Sequence, residues 1–242
     1  MTIEFTNTNG QHISFGSPAS LDNINPKTII WRAYIDGYGG AGIGTHISKI
    51  GAGSNNGWEA WNTTPGVMNF TSSFSVAGGS WNTDNNVYVL SSWVCFGVSY
   101  DNSNVANDAI LYVDGGSVAV NEIVAPNGVI ESDAASNLYI GNSPANTAWF
   151  MDGKLAVPFI YNRILTATEH KIMADSRLQR IITDGLVFAP NLDGAAGLSV
   201  FDDVALAAAN TLIDPISGAV GTPTLNPVGR GNTITNLGIG VQ

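Results

Sequence analysis

Cysteine is almost missing: Cys95 is the single one among 242 residues. No intrachain disulfide can staple this fold, so stability must come from apolar burial and strand pairing. Its setting, Trp93-Val94-Cys95-Phe96-Gly97-Val98, reads as a strand interior, where a cysteine acts as a small buried hydrophobe rather than a reactive thiol. Charge is scarce as well, with Asp, Glu, Lys and Arg together at 12%, about half the usual share. Basic residues are the rarer sign, 9 against 19 acidic ones, giving a net charge of −10, and they are scattered. Without a basic patch neither nucleic acid nor an anionic membrane surface is an expected partner. No apolar run reaches the length of a membrane span, which argues against membrane insertion. The first residues, Met1-Thr2-Ile3-Glu4-Phe5, have neither the positive n-region nor the apolar h-region of a secretory signal, so synthesis in a cytoplasm is the expectation.

What the chain does have is Asn, Ser, Thr and Gly in place of charge, which suits short strands joined by many turns. Runs rich in Val, Ile, Tyr, Phe and Trp recur between Gly, Asn, Ser and Pro clusters, the pattern of an all-β domain. Strands are expected over 28–36, 45–50, 57–62, 66–72, 93–100, 109–114, 137–141 and 154–161. In the stretch 93–100, Val94, Phe96, Val98 and Tyr100 share one face and Trp93, Cys95, Gly97 and Ser99 the other. Apolar groups on both faces predict a central strand. Asp114-Gly115-Gly116 predicts a tight hairpin, because glycine accepts the left-handed dihedrals that match strand twist. Pro158 cannot donate to a ladder and predicts an edge or a bulge. One short helix is expected over 168–180. It opens on the capping-box form Thr166-Ala167-Thr168-Glu169, with Leu165, Ile172, Met173 and Ile181 as its apolar stripe.

Taken in order, these segments resemble the laminin-G-like, concanavalin-A-like lectin/glucanase jelly roll. The resemblance rests on Ile29-Ile30-Trp31-Arg32-Ala33-Tyr34, on Ile47-Ser48-Lys49-Ile50 with Gly57-Trp58-Glu59-Ala60-Trp61, and on Trp93 to Asp101. Leu111-Tyr112-Val113-Asp114-Gly115, Leu138-Tyr139-Ile140-Gly141, Phe150 to Leu155 and Ile160 to Thr166 complete it. It implies a two-sheet antiparallel sandwich over residues 1–183. Residues 184–242 extend past the usual end of such a domain, and are expected either to return strands to the sandwich or to form an inter-subunit arm.

Some relatives with this jelly roll are glycoside hydrolases that carry Glu-x-Asp-x-x-Glu on one strand. The nearest approach here, Glu131-Ser132-Asp133, has Ser136 in the third position, so no catalytic residues are assigned and no enzyme is expected. His12, His46 and His170 are widely spaced and lack metal or triad companions in sequence. Binding is the better candidate. Trp58, Trp61, Trp81 and Trp149 sit near Asn- and Gly-rich turns, where they either fill the core or offer an aromatic face beside amides, as sugar recognition requires. The expectation is that at least one of Trp61, Trp81 and Trp149, with Asn62 or Asn142, lines a ligand-facing surface. No cofactor is expected. The resemblance also suggests calcium at the sandwich rim, for which Asp36, Asp101 and Asp152 are the candidates, each of them alternatively a turn residue.

The favoured function is a non-enzymatic structural or surface protein of an assembled particle, specifically a bacteriophage virion component such as a head decoration, fibre or tail-associated protein. Its partners would be copies of itself, other virion proteins and cell-surface glycans. A free lectin-like carbohydrate-binding module, cytoplasmic or exported without a signal, is the alternative, and a glycoside hydrolase is less favoured.

Overall fold

The computed structural model describes residues 2–6, 11–53, 56–146, 148–156, 158–175 and 182–190, together with the backbone of Leu212–Ile213 and Val220–Thr224. Among the described residues seventeen strands follow in chain order. The first eight are β1 (Thr2–Phe5), β2 (His12–Ser14), β3 (Lys27–Gly37), β4 (Ile43–Ile50), β5 (Gly57–Thr63), β6 (Val67–Ser72), β7 (Gly79–Thr83) and β8 (Trp93–Tyr100). Then come β9 (Ile110–Val113), β10 (Gly116–Ser117), β11 (Val120–Val124), β12 (Tyr139–Ile140), β13 (Asp152–Ala156) and β14 (Phe159–Tyr161). A helix, α1 (Ala167–Ala174), precedes β15 (Leu186–Phe188), β16 (Leu212–Ile213) and β17 (Val220–Thr224).

These strands form two antiparallel sheets. An eight-stranded sheet runs β1-β13-β3-β8-β9-β10, with β14 also on β3 and β15 on β14, and a nine-stranded sheet runs β11-β7-β6-β5-β4-β12-β2-β17-β16. The sandwich expected from the strand pattern is the architecture found. Ile29, Trp31, Ala33 and Ile35 of β3 and Val94, Phe96 and Val98 of β8 face Ile47, Trp58, Ala60, Phe70, Trp81 and Ile140 of the other sheet across one core. Trp31, Phe96, Phe70, Trp81 and Ala60 have no exposed surface. Each large apolar side chain so buried contributes about 1.5–3 kcal/mol.

The outward face of β8 is covered as well. Cys95 joins Ile30, Tyr161, Leu165 and Met173 in a second cluster beneath α1, and burial pushes its thiol up to about 12. The helix begins at the expected capping box: Thr166 Oγ1 accepts from Glu169 N at 3.2 Å and Glu169 Oε2 accepts from Thr166 N at 2.8 Å. It ends at Ala174, short of the expected 180, and residues 176–181 lie outside the described ones. Its docking is fixed by the Arg32 guanidinium, which donates to the Ala174 carbonyl. His170 bonds Ser99 Oγ at 3.0 Å and stacks on Tyr112.

Two local expectations are refined. Asp114 (φ 47°) and Gly115 (φ 77°) make the hairpin between β9 and β10, but β10 stops after two residues and the chain crosses to pair β11 with β7 on the other sheet. The strand expected over 154–161 divides at Pro158, whose missing N–H breaks the ladder. Its halves, β13 and β14, lie along opposite ends of β3. Of the residues after 183, β15 pairs with β14 and the backbone of β17 pairs with β2. Among the described residues no helix is long and apolar enough to cross a membrane.

Candidate functional site

Strand register decides which side chains meet on the outer face of the nine-stranded sheet, because alternate residues point to opposite faces. One row of directly opposed residues crosses β5, β6, β7 and β11 as Trp61, Asn69, Asn82 and Asn121. The neighbouring row crosses β2, β12, β4, β5, β6 and β7 as Ser14, Tyr139, Ser48, Glu59, Thr71 and Ser80. Residues that alternate with these along the strands, such as Trp58, Ala60, Phe70 and Trp81, point into the core. The outer face thus carries a half-buried indole beside a line of three amides, bordered by hydroxyls and one carboxylate.

A loop leaving β12 lies over this face. Ser143 Oγ donates to Glu59 Oε2 at 2.7 Å, Ser143 N donates to Asn142 Oδ1 at 2.8 Å, and Ser48 Oγ donates to the Asn142 carbonyl at 3.4 Å. Glu59 is only 3% exposed, and burial holds its carboxyl above the usual range although the Ser143 hydroxyl opposes this. Further along, Thr45 N donates to the Trp149 carbonyl at 2.9 Å, which stitches the loop to β4. Trp149 is thereby stacked near Trp61, with ring centroids 6.3 Å apart and planes inclined by 23°. The two indoles form one half-buried aromatic step at the end of the amide row.

The residues expected from sequence divide accordingly. Trp61 and Trp149 come together at the outer face. Trp81 does not: it has no exposed surface and its Nε1 donates to Asp108 Oδ1 at 3.0 Å. Asn62 follows Trp61 on the same strand and therefore faces inward, where its Oδ1 lies 2.8 Å from His46 Nε2. Asn142 is buried and builds the loop rather than facing out. Asn69, Asn82, Asn121 and Glu59 were missed, since only strand register brings them to Trp61.

The three aspartates suggested for calcium do not converge. Asp36 and Asp152 lie at the end of β3 marked by Gly37, which pairs with Asp152, whereas Asp101 follows β8 next to the opposite end, where Lys27 pairs with Tyr100. Asp101 Oδ1 accepts from Ser103 N at 3.0 Å, and its bonds to Ser103 hold its carboxyl below the usual range. Among the described residues no group of three or more His, Cys, Asp or Glu could hold a metal ion. Asp133, from the acidic pair compared with a hydrolase motif, is buried and sits 3.4 Å from Lys49 Nζ.

Likeness to solved structures is broad and low in identity. A heptameric SAP-like pentraxin from Limulus polyphemus aligns at TM-score 0.55 with 15% identity, covering 78% of this chain and 90% of its own. The CBM40 domain of a Ruminococcus gnavus IT-sialidase, bound to α2,3-sialyllactose, aligns at TM-score 0.51 with 12% identity, covering 72% and 96%. Domains LG4-5 of the mouse laminin α1 chain align at TM-score 0.50 with 11% identity, covering 69% and 43%. No curated protein matches the chain in sequence. The family described as the concanavalin A-like lectin/glucanases superfamily matches residues 7–169, and with the sandwich built as above the chain belongs to that superfamily.

Proposed function

We propose that this protein binds carbohydrate, without catalysis, on the outer face of its nine-stranded sheet, at the step formed by Trp61 and Trp149. The observation that carries the reading is the register row Trp61-Asn69-Asn82-Asn121. An indole stacks on the apolar C–H face of a sugar ring, while each amide offers both donors and an acceptor to its hydroxyls. A row of amides extending from the indole suits a chain of several sugar units. Glycoside hydrolysis uses a pair of carboxylates flanking the bond, and the two rows contain Glu59 alone, buried under Ser143. A glycan array probed with the full chain and with Trp61→Ala tests the reading. Signal on a restricted set of glycans, lowered about tenfold or more by the substitution, is expected. A silent array, or one that Trp61→Ala leaves unchanged, overturns it.

A second reading, membership of an assembled particle such as a phage virion, is favoured by one feature. The backbone of β16 forms an end of the nine-stranded sheet and pairs, among the described residues, with β17 alone. An open edge accepts a strand from another chain. Light scattering on the full chain and on a chain ending at Asp184 tests it: association lost on truncation supports the reading, and a monomer in both cases contradicts it.

A further inference from the structure

Between the sheets, at the end of the sandwich where β3 and β5 begin, lies a cavity of about 440 Å³, within the range of small-molecule sites. It is distinct from the outer face, since its lining residues Lys27 and Trp58 point inward from β3 and β5. Phe74 adds a second aromatic wall. The mouth is apolar: Val105, Val129 and Ile130 line it and are 40%, 71% and 42% exposed. The 127–131 segment that carries two of them is laid along 73–77 by Ser75 N to Val129 O at 2.9 Å and Glu131 N to Ser73 O at 3.2 Å.

Three polar residues of the lining matter to a ligand: Lys27, Ser72 and Asn102. Lys27 is 2% exposed and lines the cavity together with Asp133. Burial lowers the Lys27 ammonium to about 8 against the pull of Asp133 and Asp101. Asn102 Oδ1 and Ser72 Oγ are buried without a partner. A buried donor or acceptor left unpaired costs about 1–3 kcal/mol, so a ligand that satisfies Asn102 and Ser72 gains that back on binding, and one that also accepts from Lys27 gains a charge-assisted bond. The set asks for a group that accepts from Lys27, donates to Asn102 and does either for Ser72. Adjacent hydroxyls on one ring do all of this. A carboxylate could accept from Lys27 but not donate to Asn102, and it would face Glu131 and Asp133, which also line the cavity.

We infer that this cavity is a second binding site, taking an uncharged glycoside with the sugar ring inward between Trp58 and Phe74 and an apolar aglycone at the mouth. The inference stands apart from the outer-face reading, and either can fail without the other.

The probes are methyl and hexyl glycosides of glucose, galactose and mannose, with glucuronic acid as the charged comparison, titrated into the full chain while the tryptophan indole N–H resonances are followed. At least one hexyl glycoside should shift Trp58 and bind about tenfold more tightly than its methyl counterpart, as burial of a few methylenes requires. Lys27→Met should weaken both about tenfold. Val129→Ser, at an exposed position that leaves the core intact, should shrink the hexyl-over-methyl margin. The inference is overturned if no glycoside moves Trp58, if the shifts fall on Trp61 and Trp149 instead, if Lys27→Met leaves affinity unchanged, or if glucuronic acid binds best.

Discussion

Trp31 and His46 meet in the middle of the core: the indole Nε1 donates to His46 Nδ1 at 2.9 Å. The imidazole must therefore carry its proton on Nε2, which it donates to Asn62 Oδ1 at 2.8 Å. A neutral ring satisfies both partners, whereas a protonated one would turn a donor against the Trp31 N–H. Burial accordingly lowers His46 to about 4. His170, packed under Tyr112 and Ser99, is lowered to about 4 by burial too, against the pull of Glu169.

Acid sensitivity follows. In the unfolded chain these histidines take up protons near pH 6.5, while in the native state they stay neutral down to about 4. Their contribution is whole above pH 6.5 and is lost as pH falls toward 4, because the unfolded state binds the extra protons. The loss is on the order of 3 kcal/mol per histidine. Below about 4.5 Glu169, lowered to about 2 by its bonds to Arg163, adds a further loss. Glu59, shifted upward, acts with the opposite sign above its usual value. Urea unfolding at a series of pH values should show stability falling steeply between 6.5 and 4; a flat profile contradicts the neutral pair.

Lys49 should be the most sensitive single charge. Its side chain has no exposed surface, and Nζ bonds Asp22 Oδ1 at 3.1 Å and the carbonyls of Asp133 and Ser136 at 2.6 and 3.0 Å. It holds the segments around 17–22 and 133–136 against β4. Lys49→Met keeps the volume but leaves the buried Asp133 carboxylate uncompensated, which costs about 3–5 kcal/mol. A thermal melt should show a large drop in Tm, and an unchanged Tm would rule the hub out.

The fold was legible where the sequence carries both a pattern and its punctuation. The alternation of 93–100, the Asp114-Gly115 turn and the capping box at Thr166 each have a local cause, and each is present. Inside from outside was harder to read on strands with apolar groups on both faces. Trp58 and Trp61 are three apart on β5 and so face opposite ways, yet nothing in Gly57-Trp58-Glu59-Ala60-Trp61-Asn62 says which faces in. Pairing Trp61 with Asn62 overlooked that neighbours on a strand cannot share a face. Asn69 and Asn82 become partners of Trp61 only through pairings across β6 and β7, a register that one chain's pattern does not disclose.

The loop that carries Trp149 depends on the contact between Ser143 and Glu59. Glu59→Gln retains an acceptor for the hydroxyl and should keep glycan affinity within about twofold. Glu59→Ala leaves that hydroxyl unpaired under the loop, which costs about 1–3 kcal/mol, and should weaken binding about fivefold or more and lower Tm by about 2–4 °C for each kcal/mol lost. Calorimetric titration of the two variants separates these outcomes, and equal affinity in both would show that the loop is positioned by other contacts.

The six tryptophans provide the most direct check on the central claim, since each contributes one indole N–H resonance. Titration with an oligosaccharide selected on the array should move Trp61 and Trp149 while leaving Trp31 and Trp81, sealed in the core, in place. Shifts confined to Trp93 or spread evenly over all six, with Trp61 and Trp149 unmoved relative to the rest, would contradict carbohydrate binding at the outer face of the nine-stranded sheet.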